Sequence, residues 1–203
     1  MNTPEKTMTN IPDRRRAIQL ALTALPALLS LRNESARGAV AVAAGAPTGG
    51  AEHDFDFFLG SWKVHHRKLK KRLAGSNEWE EFEGTTLCQS LLGGIANMND
   101  SVVNAAGGSY TGLGLRAYDA KSHTWADWYL DGRNPSAIDS PNIGRFTKGV
   151  GTFLSDDTFE GRPIKVRGIF SSLSGTSAQW EQAFSADGGR TWETNWVMRH
   201  DRI

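Results

Sequence analysis

The sequence has 203 residues, 39% hydrophobic and 22% charged, with a formal net charge of +1, a globular composition that fits one domain or two small ones. Six of the 23 Lys and Arg and three of the 22 Asp and Glu fall in the first 46 residues, which leaves 17 and 19 for the rest, a balance of about −2. So well-mixed a charge offers no broad footprint for nucleic acid, and the 7 Trp, 9 Phe and 3 Tyr, all between Phe55 and Trp196, locate the folded part.

Residues 1–46 read as an export leader. Polar residues 1–13 precede Arg14, Arg15 and Arg16, a mildly apolar run extends from Ala17 to Leu31, and small-residue sites follow at Ala39-Val40-Ala41, Ala41-Val42-Ala43 and Ala44-Gly45-Ala46. A charged region, a short apolar region and an Ala-x-Ala site are the three parts of a secretory signal. The arginines ahead of a weakly hydrophobic core resemble a twin-arginine signal, which implies export of an already folded protein to the periplasm or beyond. Outside the leader no apolar run approaches the roughly 20 residues a membrane-spanning helix needs. Lone Cys88 forms no intramolecular disulfide, so cysteine usage does not decide the compartment.

Residues 47–203 form the second unit. His53 to Leu59 is short and ends at Gly60, which predicts a single helical turn leading into a strand. Nine strand-like runs follow, over 61–70, 79–90, 95–104, 109–119, 124–131, 144–154, 163–171, 176–185 and 191–200, separated by Gly, Asn, Asp and Ser clusters. Short strands with frequent turn signals and no long 3.6-residue period predict an all-β, antiparallel sandwich or barrel. No repeat of blade length argues for a propeller. Asp156, Asp157 and Glu160, with Gly161 and Pro163, read as a solvated turn.

Period-2 alternation sorts the faces. Trp62, Val64 and His66 share one side of the first strand, opposite Lys63, His65 and Arg67; Trp180, Gln182 and Phe184 fall together; and Trp192, Thr194, Trp196 and Met198 fall together, opposite Glu193, Asn195 and Arg199. A barrel of eight to ten strands has room for packed side chains or for one small ligand.

Gly60-Ser61-Trp62 after a short helical turn resembles the Gly-x-Trp opening of lipocalin-like, or calycin, barrels. The stretches Phe55 to Trp62, Trp128 to Arg133 and Trp180 to Ser185 resemble an uncharacterised bacterial family of lipocalin-like domains of unknown function. The resemblance implies a β-barrel and leaves activity open. Ser185-Ala186-Asp187-Gly188-Gly189-Arg190-Thr191-Trp192 fits the Asp-box pattern familiar from sialidases, read here as a single hairpin staple.

The candidate ligand surface comprises Trp62, Trp180, Trp196 and Met198, with His66, Arg133 and Gln182 as its polar groups. Asp131 and Arg133 begin the longest mouth loop and either orient a polar head group or pair with each other. No His-Glu-x-x-His, paired-Cys or EF-hand spacing points to a metal, and no phosphate loop, dinucleotide fingerprint or Gly-x-Ser-x-Gly elbow points to a cofactor or nucleophile. The leading reading is an exported binding or carrier protein for a small apolar or amphipathic molecule. One alternative is a cavity isomerase, lyase or hydrolase with His66 as acid or base; another is a filled barrel acting as an interaction module.

Overall fold

The computed structural model describes residues 50–203, so the expected leader lies outside the described residues. Ten strands follow one another: β1 (Gly60–Leu69), β2 (Trp79–Leu91), β3 (Ala96–Ala105), β4 (Gly108–Asp119), β5 (Thr124–Asp131), β6 (Asn142–Thr147), β7 (Val150–Phe159), β8 (Arg162–Ser171), β9 (Ser177–Ser185) and β10 (Glu193–Arg202). Each pairs antiparallel with its neighbours in sequence, and β1 pairs with β10 from Trp62↔Arg202 to Lys68↔Trp196, closing the barrel. Every strand has a neighbour on both sides, although β5 beyond Asp127 and β7 beyond Leu154 outrun the short β6 between them. The chain thus folds as a lipocalin-like β-barrel. Among the described residues no helix is long and apolar enough to cross a membrane.

Two 3₁₀ turns, Ala51–His53 and Asp56–Phe58, seal one end. They lower Phe55 and Phe58 into the barrel, where Phe55 meets Trp125, Phe146 and Phe170 edge-on at 5.0, 5.0 and 5.1 Å. Such edge-to-face contacts suit the ring quadrupoles. The Trp62 indole is fully buried and donates to the Phe58 carbonyl at 2.7 Å, while the Trp125 indole donates to the Ala51 carbonyl at 2.9 Å. Arg202 then lies over Trp62, 4.1 Å from the ring centroid, and donates to the Leu59 and Phe57 carbonyls at 2.7 and 2.8 Å. Gly60 has φ +109°, and a Cβ there would sit 2.6 Å from Arg202 Nη1, so the Gly-x-Trp opening needs its glycine on both counts.

Three expectations are corrected. The run expected over 144–154 is two strands, β6 and β7, because Lys148 and Gly149 both take positive φ, 52° and 77°, and reverse the chain in two residues. The turn expected across Asp156 to Pro163 contracts to Glu160 and Gly161, with Asp156, Asp157 and Thr158 inside β7 and Pro163 paired with Thr158. In β10 a bulge between Thr194 and Trp196 shifts the register, so that Glu193 pairs with Phe184 and Trp196 with Gln182. One extra residue inverts the alternation on either side of it. Trp196 and Met198 therefore do not share a face with Trp192 and Thr194; Trp192 instead lies beside Arg167, 4.4 Å from the guanidinium.

The Asp-box residues form the expected staple. Asp187 Oδ1 accepts from the Arg190 and Thr191 amides at 3.0 and 2.9 Å and from the Ser185 hydroxyl at 2.7 Å, and its Oδ2 accepts from the Thr191 hydroxyl at 2.7 Å. These donors hold the Asp187 carboxyl far below the usual carboxylate range.

Candidate functional site

The end opposite the 3₁₀ turns is open. β6 has only six residues and pairs with β5 no further than Asp127↔Asn142. Past that point β5 and β7 diverge, and the chain from Gly132 to Pro141 spans the gap. The result is a mouth cavity of about 470 Å³. Trp196, Phe184, Val166 and Tyr129 give it apolar walls, Lys68, Arg72 and Arg133 bring positive charge, and Asp127, Asp131, Asp139, Asp156 and Asp157 bring negative charge. The barrel is therefore packed at one end and, at the other, hollow beside a smaller apolar cluster of Ile164, Val166 and Phe184.

Local rules place each group. Lys68 continues the inward series Trp62, Val64, His66 along β1. Asp127 and Tyr129 continue the series begun by Trp125 on β5. Glycine makes room: a Cβ at Gly112 would collide with the Tyr129 hydroxyl, and one at Gly114 with Asn99 Oδ1.

Asp127 lines the cavity and pairs behind it with Arg116, Nε to Oδ1 3.1 Å, both side chains largely buried at 13% and 7% exposure. Arg116 also donates to Asn97 Oδ1 at 3.0 Å, and its guanidinium faces the Phe55 and Phe58 rings at 5.1 Å. Burial raises the Asp127 carboxyl, and the Arg116 charge opposes that rise. At the rim Arg133 grips Asp131 with two side-chain donors, Nε to Oδ1 at 2.9 Å and Nη2 to Oδ2 at 2.5 Å. The Asp131–Arg133 contact is thus a local pair. Arg72 spans the Phe159 and Phe184 rings at 4.6 and 5.4 Å. Among the described residues it has neither a hydrogen-bond partner nor an ion pair.

Lys68 Nζ sits 4.0 Å from the Trp196 ring centroid. Burial, then the nearby Arg72 and Arg133 charges, lower its pKa to about 8, against smaller opposing effects of Glu80 and Asp131. Burial first, then Tyr110 and Asp131, push the Tyr129 phenol up to about 12.

Of the expected ligand residues, Arg133, Gln182 and Trp196 line the cavity. His66 lies outside the lining, stacked on Phe82 at 4.8 Å and accepting from the Trp196 indole at Nδ1, 3.3 Å away. Burial lowers its pKa to about 4, which keeps it neutral. Trp180 packs edge-on against Trp196 at 6.0 Å, and Met198 packs with Trp180 against the aromatic core. Trp62 belongs to the closed end. Lys68, Arg72, Asp127 and Tyr129 went unnamed in the sequence, although alternation alone places Lys68 with His66. Among the described residues no group of three or more His, Cys, Asp or Glu is placed to hold a metal.

No family model matches the chain, and no curated protein matches it. Among solved structures the chain is similar to the S-type phycobiliprotein lyase CPES from Guillardia theta, with a TM-score of 0.50 and 9% identity over 77% of this chain and 94% of that one. It is also similar to EF1p2_mFAP2b, solved bound to DFHBI, with a TM-score of 0.39 and 12% identity over 76% of this chain and 100% of the other. At 9% identity the first likeness shows the barrel fold alone.

Proposed function

We propose that the protein is an exported small-molecule carrier that takes an amphipathic ligand in the mouth cavity. The carrying observation is the lining, where the faces of Trp196 and Phe184 adjoin the cations of Lys68 and Arg72. An aromatic or apolar body fits the first group and an anionic group the second. A volume of about 470 Å³ suits a drug-sized molecule. Purely apolar ligands have less support, because their entry would strip water from Lys68 and Arg72, which have no partner among the described residues, without replacement. Catalysis through His66 has less support too, since the imidazole is neutral, engaged by Trp196 and absent from the lining.

Native mass spectrometry of protein from its source, joined to tryptophan fluorescence titration, tests the reading. A copurifying small molecule and a saturable response of Trp196 to anionic aromatic probes are expected; an empty protein with no saturable response from any such probe defeats it. For export, N-terminal sequencing should find a mature start between about residues 42 and 52. Changing Arg14, Arg15 and Arg16 together to Lys should trap precursor inside the cell. An intact Met1 terminus in a cytosolic fraction would end the export reading.

A further inference from the structure

We propose that Lys68 captures its ligand covalently and reversibly, as an imine with the carbonyl group of an aldehyde or ketone that also carries an anionic group. This rests on the mouth cavity being the ligand site.

Position comes first. Lys68 is near the end of β1 and points into the hollow half of the barrel, between register partners Trp196 and Glu80. The Trp196 face at 4.0 Å fixes where the amine sits. Burial without a partner separates it from the other lysines: Lys71, Lys121 and Lys148 are exposed, and three more are paired. Lys63 reaches Glu83 at 3.7 Å, Lys70 reaches Glu78 at 4.0 Å and Lys165 reaches Asp156 at 2.6 Å, all with well-exposed side chains. Among the described residues Lys68 has no carboxylate within ion-pair distance and no hydrogen-bond partner.

Its surroundings supply the rest. The charged groups that act on it are Arg72 in the loop after β1, Glu80 on β2, Asp131 at the end of β5 and Arg133 in the loop just after it. Asp131 is engaged by Arg133, so it offers Lys68 little compensation. A lysine desolvated beside other cations is the recognised way to obtain a neutral, nucleophilic amine near physiological pH. With a pKa of about 8, a useful fraction of Lys68 is unprotonated there. Arg72, without a partner among the described residues, is the second anchor and takes the ligand's anionic group.

The step balances without an oxidant or reductant. The Nζ lone pair attacks the carbonyl carbon, a C–N bond forms, and the C=O π pair moves to oxygen, which gains a proton while nitrogen loses one. The carbinolamine then expels its oxygen as water as the C=N bond forms. Solvent in the open mouth relays the protons, and hydrolysis reverses the sequence.

The test uses the intact protein with 4-carboxybenzaldehyde and limiting cyanoborohydride, which reduces the imine to a stable secondary amine, followed by peptide mapping. Lys68 should be labelled at least about tenfold faster than Lys63, Lys121 or Lys148. Lys68→Arg should remove that adduct and leave the others. The mapping in the unchanged protein stands even if the variant folds poorly. 4-Methylbenzoate, which has the anion and ring but no carbonyl, is titrated in parallel by fluorescence. Labelling of Lys68 no faster than of the surface lysines overturns the imine proposal. If 4-methylbenzoate still binds saturably in that case, the carrier reading survives its loss; if neither probe engages the cavity, both fall.

Discussion

Arg116 and Asp127 are direct partners in the β4–β5 register and meet inside the barrel, Nε to Oδ1 3.1 Å, as an ion pair without a well-aligned hydrogen bond through Nε. The pair forms the floor between the packed and the hollow halves. Taking either charge out of water is costly, and the other charge offsets that cost only while both are present. Arg116→Met should therefore lower unfolding stability by about 3–5 kcal/mol, whereas the double change with Asp127→Leu should recover most of the loss. Urea denaturation of the two variants checks this, and equal losses in both would show that the charges are not coupled.

Acid should destabilise the barrel before its carboxylates titrate. His66 and His200 are both lowered by burial, to about 4 and about 3, from an ordinary value of 6.5. Between 6.5 and about 4 the unfolded chain binds protons that the folded chain refuses, so stability is full above 6.5 and falls as pH drops through that window. For His66 alone the shift corresponds to on the order of 3 kcal/mol. Asp127 acts in the opposite sense, because its raised carboxyl favours the folded state at low pH and loses that advantage as pH rises. Urea midpoints at pH 7.5, 5.5 and 4.5 should fall in that order, and His66→Gln should flatten the slope. A slope that His66→Gln leaves unchanged would place the acid sensitivity elsewhere.

The Asp187 staple predicts a loss confined to stability. Asp187→Ala removes the acceptor of two amides and two hydroxyls in one hairpin, so the melting temperature should drop. Asp187→Asn, which keeps one carbonyl acceptor, should drop it less. Probe binding at the mouth should be untouched in both variants. Trp192→Ala should cost less than the roughly 3–5 kcal/mol typical of a core tryptophan, because its ring lies half-buried beside Arg167. Differential scanning calorimetry ranks the three, and an Asp187→Ala curve matching the parent would remove the staple's structural role.

Alternation made the barrel legible, but parity is a local rule. It placed Trp62, Val64 and His66 together because β1 is regular, and it misplaced Trp192 and Thr194 because a single bulged residue at Asn195 has no signature in side-chain type. It ran β6 into β7 because Lys148 gives no hint of positive φ. The site was less legible than the fold for a physical reason. A tryptophan on the inner face reads the same at either end of a barrel, so Trp62 and Trp196 looked equivalent; only the 3₁₀ turns packed on Trp62 and the short β6 opening the wall above Asp127 tell the filled end from the hollow one. Lys68 passed as one cation in a basic strand, although its parity with His66 was a usable signal.

Arg72 provides the sharpest test of what the cavity accepts. Its guanidinium lies over both Phe159 and Phe184, which pack on each other, half-buried, and among the described residues no acceptor engages it. Burial already lowers its pKa, although Glu160 and Glu193 support the charge from a distance. A ligand anion placed there would regain hydrogen bonds that burial removed, and hydrogen bonds to charged groups are worth about 1.5–3 kcal/mol, or roughly 10- to 100-fold in affinity. Arg72→Met keeps the apolar stem against the rings and removes the charge. It should weaken the anionic probe 8-anilinonaphthalene-1-sulfonate by at least about tenfold, and should change binding of the neutral N-phenyl-1-naphthylamine by no more than a few-fold. Fluorescence titrations at two ionic strengths complete the argument. In the parent protein added salt should weaken the anionic probe and spare the neutral one, because screening acts on the charge interaction alone. Equal losses for both probes in Arg72→Met would mean that Arg72 shapes the cavity and does not recognise an anion.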